Sequence, residues 1–280
     1  MSISNSELAD TLAIEDRDLE GAVARAERRD RFAVLGMRIA FIVGVLALWE
    51  VSVRVGWAQE LLIGQPSRIA HFLAETLIGG ELLQHAMITG LEAITGYGLG
   101  VILGTSTGFL MWWLPRFGRT VDPYFIAISA IPTVALAPLF LVWLGLGIAT
   151  KIALGFKTVF LVMHLTTYAS LRQTPAELVD LATVLGATRF QIFRKVVVPS
   201  SLPWVLSAMK VSIGFALTGT VVGEYVAANK GLGYLTLYAA QLYEMSLVWA
   251  AIIVLVCMSL VMLSIVSALR TRFASWNDQA

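Results

Sequence analysis

The sequence predicts an all-α polytopic membrane protein with six transmembrane helices, on three observations. The chain is 58% hydrophobic and only 14% charged, with a mean hydropathy of +0.78; ordinary globular domains are about half apolar and about a quarter charged. The apolar residues gather in runs near the roughly 20 residues that a helix needs to cross a bilayer core. Six such runs lie at about 34–55, 88–113, 121–143, 149–171, 203–224 and 247–269. The third observation is that basic residues alternate between the connections.

That alternation sets the orientation. Arg28, Arg29, Arg31 and Arg38 flank span one, Arg116 and Arg119 separate spans two and three, and Arg172, Arg189, Arg194 and Lys195 separate four and five. Arg270 and Arg272 follow span six, whereas the other connections hold only Arg68, Lys151 and Lys230. Excess Lys and Arg mark cytoplasmic loops, so both termini and the 174–199 connection are expected in the cytoplasm. The first apolar run starts too late and is too long for a cleavable signal peptide.

Residues 1–32 are rich in acidic residues and arginines and read as a solvated cytoplasmic tail, helical near Val23–Arg31, with 273–280 as a second tail and 33–272 as the membrane domain. Charged segments of low hydrophobicity seldom fold alone. Glu50 sits near the outer half of span one, an ionisable residue at membrane depth and so a site candidate. Pro66–Leu83, with Ile69, Phe72, Leu73, Thr76 and Leu77 on one face, predicts a short amphipathic helix outside the bilayer. It either forms part of a docking surface or covers the pore mouth.

Span two carries Gly96, Gly100, Gly104 and Gly108, every fourth residue. Glycines so spaced share a helix face and let another backbone approach closely, within the chain or across a homodimer. Gly214, Gly219 and Gly223 form a looser small-residue set in span five. Span three contains Pro132 and Pro138, which remove backbone donors and bend helices. Bent helices with freed carbonyls are tolerated in membranes where they line a cavity or pack on neighbours.

Ionisable residues inside the bilayer are costly and usually face the interior. Lys157 and His164 lie seven residues apart on one face of span four, Glu224 ends span five, and Glu92 sits near the outer half of span two. A lysine near mid-membrane attracts an anionic substrate, pairs with a carboxylate such as Glu224, or snorkels outward.

The polar stretch 174–199 reads as helix, glycine, helix. Thr174, Pro175 and Glu177 predict a capped start. Leu178, Leu181, Ala182 and Leu185 form an apolar stripe. Gly186 sits where a helix commonly ends in a left-handed residue. Thr188 and Gln191 repeat the capping pattern, and Phe190, Phe193 and Val197 form a second stripe that Pro199 is expected to stop.

On this elbow the chain resembles the permease subunit of bacterial ATP-binding-cassette (ABC) importers of the nitrate, sulfonate and taurine type. Their cytoplasmic signature, roughly EAA, three residues, Gly, nine residues and I-x-L-P, is matched by Asp180-Leu181-Ala182, Gly186 and Val196-Val197-Val198-Pro199 with every spacing kept. SAIPTVALAPLFLVWLGLGIATK at 129–151 and GEYVAANKGLGYL at 223–235 extend the likeness over about residues 60–270, and in the second of these Gly231 and Gly233 read as a turn. Span four departs from the family: similar permeases carry an aromatic or aliphatic residue at the position of Lys157 and often F-F-P followed by Asn, where this chain has Phe160-Leu161-Val162 and Thr166.

The resemblance implies a type I ABC importer transmembrane domain in the bacterial inner membrane, with a cytoplasmic coupling-helix elbow. Glu177, Asp180, Ala182, Gly186, Ala187, Phe190, Phe193 and Pro199 are its ATPase-coupling candidates. Pro132, Pro138, Lys157, His164 and Glu224 are candidates for the translocation path, although Glu224 matches a position where such permeases commonly carry Glu, which favours a structural role for it over a substrate-specific one. The implied partners are a second permease copy, two cytoplasmic ATPase subunits that bind ATP and Mg, an external solute-binding protein and membrane lipid. The implied solute is a small organic or inorganic anion.

No catalytic constellation appears: there is no G-x-x-x-x-G-K-[ST] loop and no nucleophile with a base. Three scattered histidines do not make a metal site, and no cofactor or nucleic-acid partner is expected. The single cysteine, Cys257, excludes an intrachain disulfide. The competing class is an ion-coupled secondary transporter using Lys157, His164 and Glu224 as a relay. It would show an internal repeat across its halves, and none is visible. A purely structural membrane protein would explain the glycines but not the elbow.

Overall fold

A backbone in lipid must satisfy its donors and acceptors within its own segment. The computed structural model, which describes residues 5–274 with side chains over residues 28–268, is accordingly built of helices, with no strand among the described residues. It divides into two units, residues 1–67 and 68–280.

In the first unit, α1 (Asn5–Arg54) is a single 50-residue helix. The expected boundary between tail and span at 32/33 therefore falls inside one element. No proline interrupts 5–54, and the stretch is rich in the strong helix formers Ala, Leu, Glu and Arg. Glu50, an ionisable residue at membrane depth in the sequence, has a local task near the end of α1. Its carboxylate accepts from Arg54 Nε (2.8 Å), Gln65 Nε2 (2.7 Å), Ser67 N (3.0 Å) and Ser67 Oγ (2.9 Å), tying the segment after the four-residue helix α2 (Glu60–Ile63) to the helix it follows.

The second unit begins within α3 (Pro66–Ile78), five residues shorter than its sequence pattern because Gly80 takes φ +76° and the chain restarts as α4 (Glu81–Trp113). Ile69 is buried on α3, and Phe72 and Leu73 pack against Leu82, Leu232 and Leu235. Next come α5 (Pro115–Ala130), α6 (Thr133–Leu144), α7 (Ile148–Arg172), α8 (Ala176–Val184) and α9 (Arg189–Ile192). A π-helical turn (Phe193–Val197), α10 (Val198–Ala227), α11 (Leu232–Gln241) and α12 (Met245–Ala274) complete the chain. The C-terminal tail lies outside the described residues from 275 onward.

Among the described residues, five helical segments are long and apolar enough to cross a membrane, and α5 with α6 makes a sixth if the pair is one span. That pair corrects the sequence reading. Span three, expected as a kinked helix over 121–143, is two helices at 97°. The residue before a proline disfavours the α region, and Ile131 (ψ 119°) and Pro132 (ψ 130°) are both extended. Pro132 therefore ends one helix rather than bending it, while Pro138 sits inside α6 without breaking it.

α7 is the central helix, gripped from both sides through small residues. All four glycines of the α4 series face α7 of the same chain. A Cβ built at Gly100 would lie 2.6 Å from Val159 Cβ, at Gly104 2.7 Å from both Met163 Cβ and Phe160 O, and at Gly108 2.8 Å from Thr167 Cβ. At Gly96 the nearest atom is Ile152 O, at 3.0 Å. On the other side, a Cβ at Gly219 would lie 2.6 Å from Leu154 O, and one at Gly223 2.7 Å from Lys151 Cα; Gly214 meets nothing within 4 Å. Val159 and Met163 of α7, Val205, Ala208 and Ala216 of α10, and Tyr97 and Val101 of α4 fill the core between the three helices. Tyr97 Oη donates to Met209 O (3.0 Å) and Thr158 Oγ1 to Phe215 O (2.9 Å).

Two elements differ from the sequence pattern after span four. Pro199 does not stop the second elbow helix. The π turn takes up the register around it, so Arg189–Ala227 runs on as one 39-residue span. The 231–235 stretch, read as a glycine turn, contains the start of α11: only Gly231 is in a turn conformation (φ +124°), while Gly233 is helical.

Gly104→Leu should lower the stability of the detergent-solubilised chain by about 1–3 kcal/mol, the usual cost of overpacking, because one clashing atom is backbone. Gly98→Leu, where a built Cβ meets nothing within 4 Å, should leave the thermal unfolding midpoint unchanged. Equal midpoints for the two variants would contradict the seam described here.

Candidate functional site

Three features of the second unit carry chemistry: the elbow, the broken span, and a buried polar network.

The elbow is stiff because both sides of its corner are locked. At the end of α8, Gly186 adopts φ +80°, its N–H donates to Thr183 O (2.9 Å) and Ala187 N–H reaches back to Ala182 O (2.9 Å). This paired bonding around a left-handed residue is the Schellman arrangement. At the start of α9 the Thr188–Gln191 capping box forms in both directions: Gln191 N donates to Thr188 Oγ1 (3.3 Å) and Thr188 N to Gln191 Oε1 (2.8 Å). The predicted first capping box does not form. Pro175 (ψ 127°) itself occupies the N-cap, which leaves Thr174 one residue too far out; its Oγ1 is buried without a partner. Glu177 stays in the first turn of α8, where a carboxylate favours the helix dipole.

The inner side of the elbow is anchored. Leu171, Ile192 and Val197 form its buried core, joined by Val179, Ala182, Ala187 and Phe193. Phe193 meets Phe109, Trp112 and Trp113 at centroid distances of 5.0–5.7 Å, and Phe190 lies against Trp113 at 6.5 Å. The outer side is bare. Leu178 (46% exposed), Leu181 (58%), Val184 (84%) and Leu185 (77%) project from α8, and the candidates Glu177, Asp180 and Phe190 are exposed with them. A hollow of about 340 Å³ between the two arms is lined by Leu185, Gly186, Gln191 and Lys195 among others. Pro199 is half-buried at the start of α10.

At the broken span, Lys157 of α7 donates from Nζ to Ile131 O (2.9 Å), a carbonyl freed by the break, with Thr133 Oγ1 at 3.4 Å. The suggested pairing of Lys157 with Glu224 does not occur, and among the described residues no carboxylate forms an ion pair with it. His164 is fully buried. Its Nδ1 lies 2.9 Å from Thr107 Oγ1, and its ring sits among Phe125, Phe160 and Tyr168. Pro132 and Pro138 are exposed.

Glu224 belongs to the third feature. Thr89 Oγ1 (2.6 Å) and Gly233 N (2.5 Å) donate to its carboxylate, Leu232 N donates to Thr89 Oγ1 (2.8 Å), and Gly231 N donates to His85 Nδ1 (2.9 Å). Beside it, Lys151 forms an ion pair with Glu92, both at least nine-tenths buried. The sequence reading placed Lys151 in an external connection. The structure instead puts it on α7 facing α4, because Gly223 leaves no side chain where the lysine passes α10. Glu224 and Glu92 were visible as membrane-depth acids; Lys151 and His85 were missed. The only signal for Lys151 was an ionisable residue at a span edge with unpaired acids elsewhere. Among the described residues Lys157, His164 and Glu224 thus have separate partners, and no hydrogen bond or ion pair joins them to one another.

The comparisons with known proteins fall on this architecture. Residues 96–275 match the family model for the binding-protein-dependent transport system inner membrane component. The chain belongs to this permease family. It is 30% identical over 244 residues to the formylaminopyrimidine transport permease protein ThiX of Halalkalibacterium halodurans, covering 85% of this chain and 95% of that one. It is 29% identical to the riboflavin transport system permease protein RibX of Chloroflexus aurantiacus (90% and 94% covered) and 29% to the putative aliphatic sulfonates transport permease SsuC of Bacillus subtilis (84% and 85%). Among solved structures, an inward-facing MetNI methionine ABC transporter superposes with a TM-score of 0.60 at 19% identity, covering 69% of this chain and 95% of that one, and supports the fold. The permease is therefore a multi-pass inner-membrane subunit of an ABC importer for a small solute. It is a transport component rather than an enzyme, and works with an ATPase and a binding protein.

Lys151→Met should destabilise the folded permease by about 3–5 kcal/mol, since it leaves Glu92 buried and uncompensated. Adding Glu92→Met should recover most of the loss, because paired apolar replacements are often neutral. Thermal unfolding of both variants in detergent checks this; additive losses would show that the pair is not coupled.

Proposed function

We propose that two copies of this permease form a homodimer around one translocation path, that each elbow seats on a cytoplasmic ATPase subunit, and that a solute-binding protein docks on the opposite face. Both termini are then cytoplasmic, as the arginine distribution supports, and ATP and Mg are bound by the ATPase subunits. The single observation that carries the reading is the elbow itself. Its corner is fixed by the Gly186 turn and the Thr188–Gln191 box, while Leu178, Leu181, Val184 and Leu185 are left bare on α8. A rigid apolar projection with a buried base is what a protein partner can push against.

Transport in this reading is a two-state switch. ATP binding draws the ATPase subunits together and moves both elbows, opening the path outward; hydrolysis resets it. Each ligand must bind one state better than the other. The proposed solute is a small organic or inorganic anion. Lys157 supports this, since among the described residues its ammonium group meets a backbone carbonyl and a hydroxyl and no carboxylate. Relatives named for sulfonates, riboflavin and formylaminopyrimidine widen the range of candidate solutes.

Gly186→Asp should abolish ATP-dependent uptake in cells while the permease still inserts and purifies as a folded chain. A built Cβ at Gly186 meets nothing within the chain, so the loss arises from the left-handed backbone, which disfavours a side chain by about 1 kcal/mol or more, and from the partner surface. Normal uptake would overturn the coupling role. Lys157→Met should selectively lower uptake of an anionic solute, and equal losses for anionic and neutral solutes would remove Lys157 from selectivity.

A further inference from the structure

We propose that the elbow end of α4, α5 and α7 holds a binding site for the phosphate headgroup of an anionic phospholipid, built on Arg119, Arg172 and Arg189. These arginines are far apart in sequence, yet they converge on one pocket of about 290 Å³ whose other walls include Trp112 and Tyr168. A second pocket of about 510 Å³ shares Arg119 and Arg189 and adds Arg116. No carboxylate lines either pocket. Among the described residues none of the four guanidinium groups has an acidic partner.

The positive-inside pattern alone accounts for arginines at this end of the spans, but not for their convergence or their fixed orientation. Arg189 donates from Nη2 to Trp113 O (2.6 Å) and lies over the rings of Trp113 and Trp112, 5.0 and 5.7 Å from their centroids. Arg119 Nε donates to Pro115 O (3.3 Å), and Arg172 lies 5.6 Å over the Tyr168 ring. Each side chain is held by a carbonyl or an aromatic face, with most of its donor fork left for an oxyanion; such forks match phosphate geometry.

The surroundings favour a lipid over a free ion. The pocket lies where the apolar α4 and α7 end, beside a tryptophan pair of the type that marks the membrane–water boundary. Exposed Leu114 and Phe117, which line the second pocket, offer apolar surface for acyl chains. Basic pockets between transmembrane helices on the cytoplasmic side bind anionic headgroups. The site does not depend on the coupling role of the elbow; only its assignment to the cytoplasmic leaflet rests on the proposed orientation.

The test uses the full-length permease, delipidated in detergent, titrated with dioleoyl-phosphatidylglycerol, dioleoyl-phosphatidylcholine or inorganic phosphate, with bound lipid counted by native mass spectrometry. Phosphatidylglycerol should be retained in preference to phosphatidylcholine. Arg119→Gln with Arg172→Gln should weaken that retention about thirty-fold, at the strength usual for a basic side chain near an anionic lipid. The matching pair Arg119→Lys and Arg172→Lys, which keeps the charge, should retain most of the preference and controls for misfolding. Equal retention of the two lipids, or an undiminished preference in the glutamine variant, would overturn the proposal. Binding of inorganic phosphate to the pocket with no lipid preference would also overturn it and leave a free-anion site instead.

Discussion

The close approach of α4 to α7 is the constraint on which the rest of the second unit depends. Lipid tails are as apolar as leucine, so helices in a bilayer gain little from burying apolar side chains and associate through packing and polar contacts. Four glycines in one row give α4 a flat face along much of its length, and α7 lies so close that a methyl group at three of them would fall inside 3.0 Å of its neighbour. Gly219 and Gly223 repeat the device from α10. With α7 fixed between two backbones, every side chain it carries is placed: Lys151 at one end, His164 in the middle, Leu171 and Arg172 at the elbow.

That placement explains how charges are tolerated at membrane depth. Lys151 is carried into a position where Glu92 of α4 neutralises it, while Glu224 of α10 takes its donors from Thr89 and from the backbone at Gly233. The network draws on α4, α7, α10 and the start of α11 at once. It satisfies N–H groups in the first turn of α11 that would otherwise be orphaned, since Leu232 N and Gly233 N both find side-chain acceptors there. Gly231 and Gly233 are the corresponding steric condition. A Cβ at either would meet the Glu224 carboxylate, so the same carboxylate that bonds this connection also dictates its residues.

Local and translational signals were legible in the sequence; cross-chain ones were not. The spans could be read because bilayer thickness imposes a length on any apolar run. The Gly186 corner and the Thr188–Gln191 box could be read because each is written within a few residues. Thr174 carried the same pattern and failed, because Pro175 took the capping position and shifted the helix start by one residue. The 97° break at Ile131–Pro132 was underestimated: Pro132 announces a bend, but its size follows from Ile131 also turning extended, and a lysine from another helix caps the freed carbonyl. Helix α11 was hidden by its glycines, although Leu232, Leu235 and Ala239 mark its buried face. Lys151 with Glu92, and Arg189 on Trp112 and Trp113, join residues more than fifty positions apart, which no pattern in a single sequence encodes.

The π turn at 193–197 gives this architecture a mechanical consequence. Had Pro199 ended the elbow helix, elbow and span would meet at a flexible joint. The extra residue in the turn instead carries the helix past the missing donor, and π turns within helices are frequent at functional sites. Arg189–Ala227 then forms one helical element, on the order of 58 Å long at the α-helical rise. One end carries the capping box of the elbow, and Glu224, near the other, holds the α10–α11 connection. A continuous helical element bonded at both ends links the two by backbone, and the π turn, Pro199 and Pro203 are the places where it can bend. In the proposed coupling, a push on the elbow would be carried along α10 to the Glu224 carboxylate, which accepts from Gly233 N in the first turn of α11.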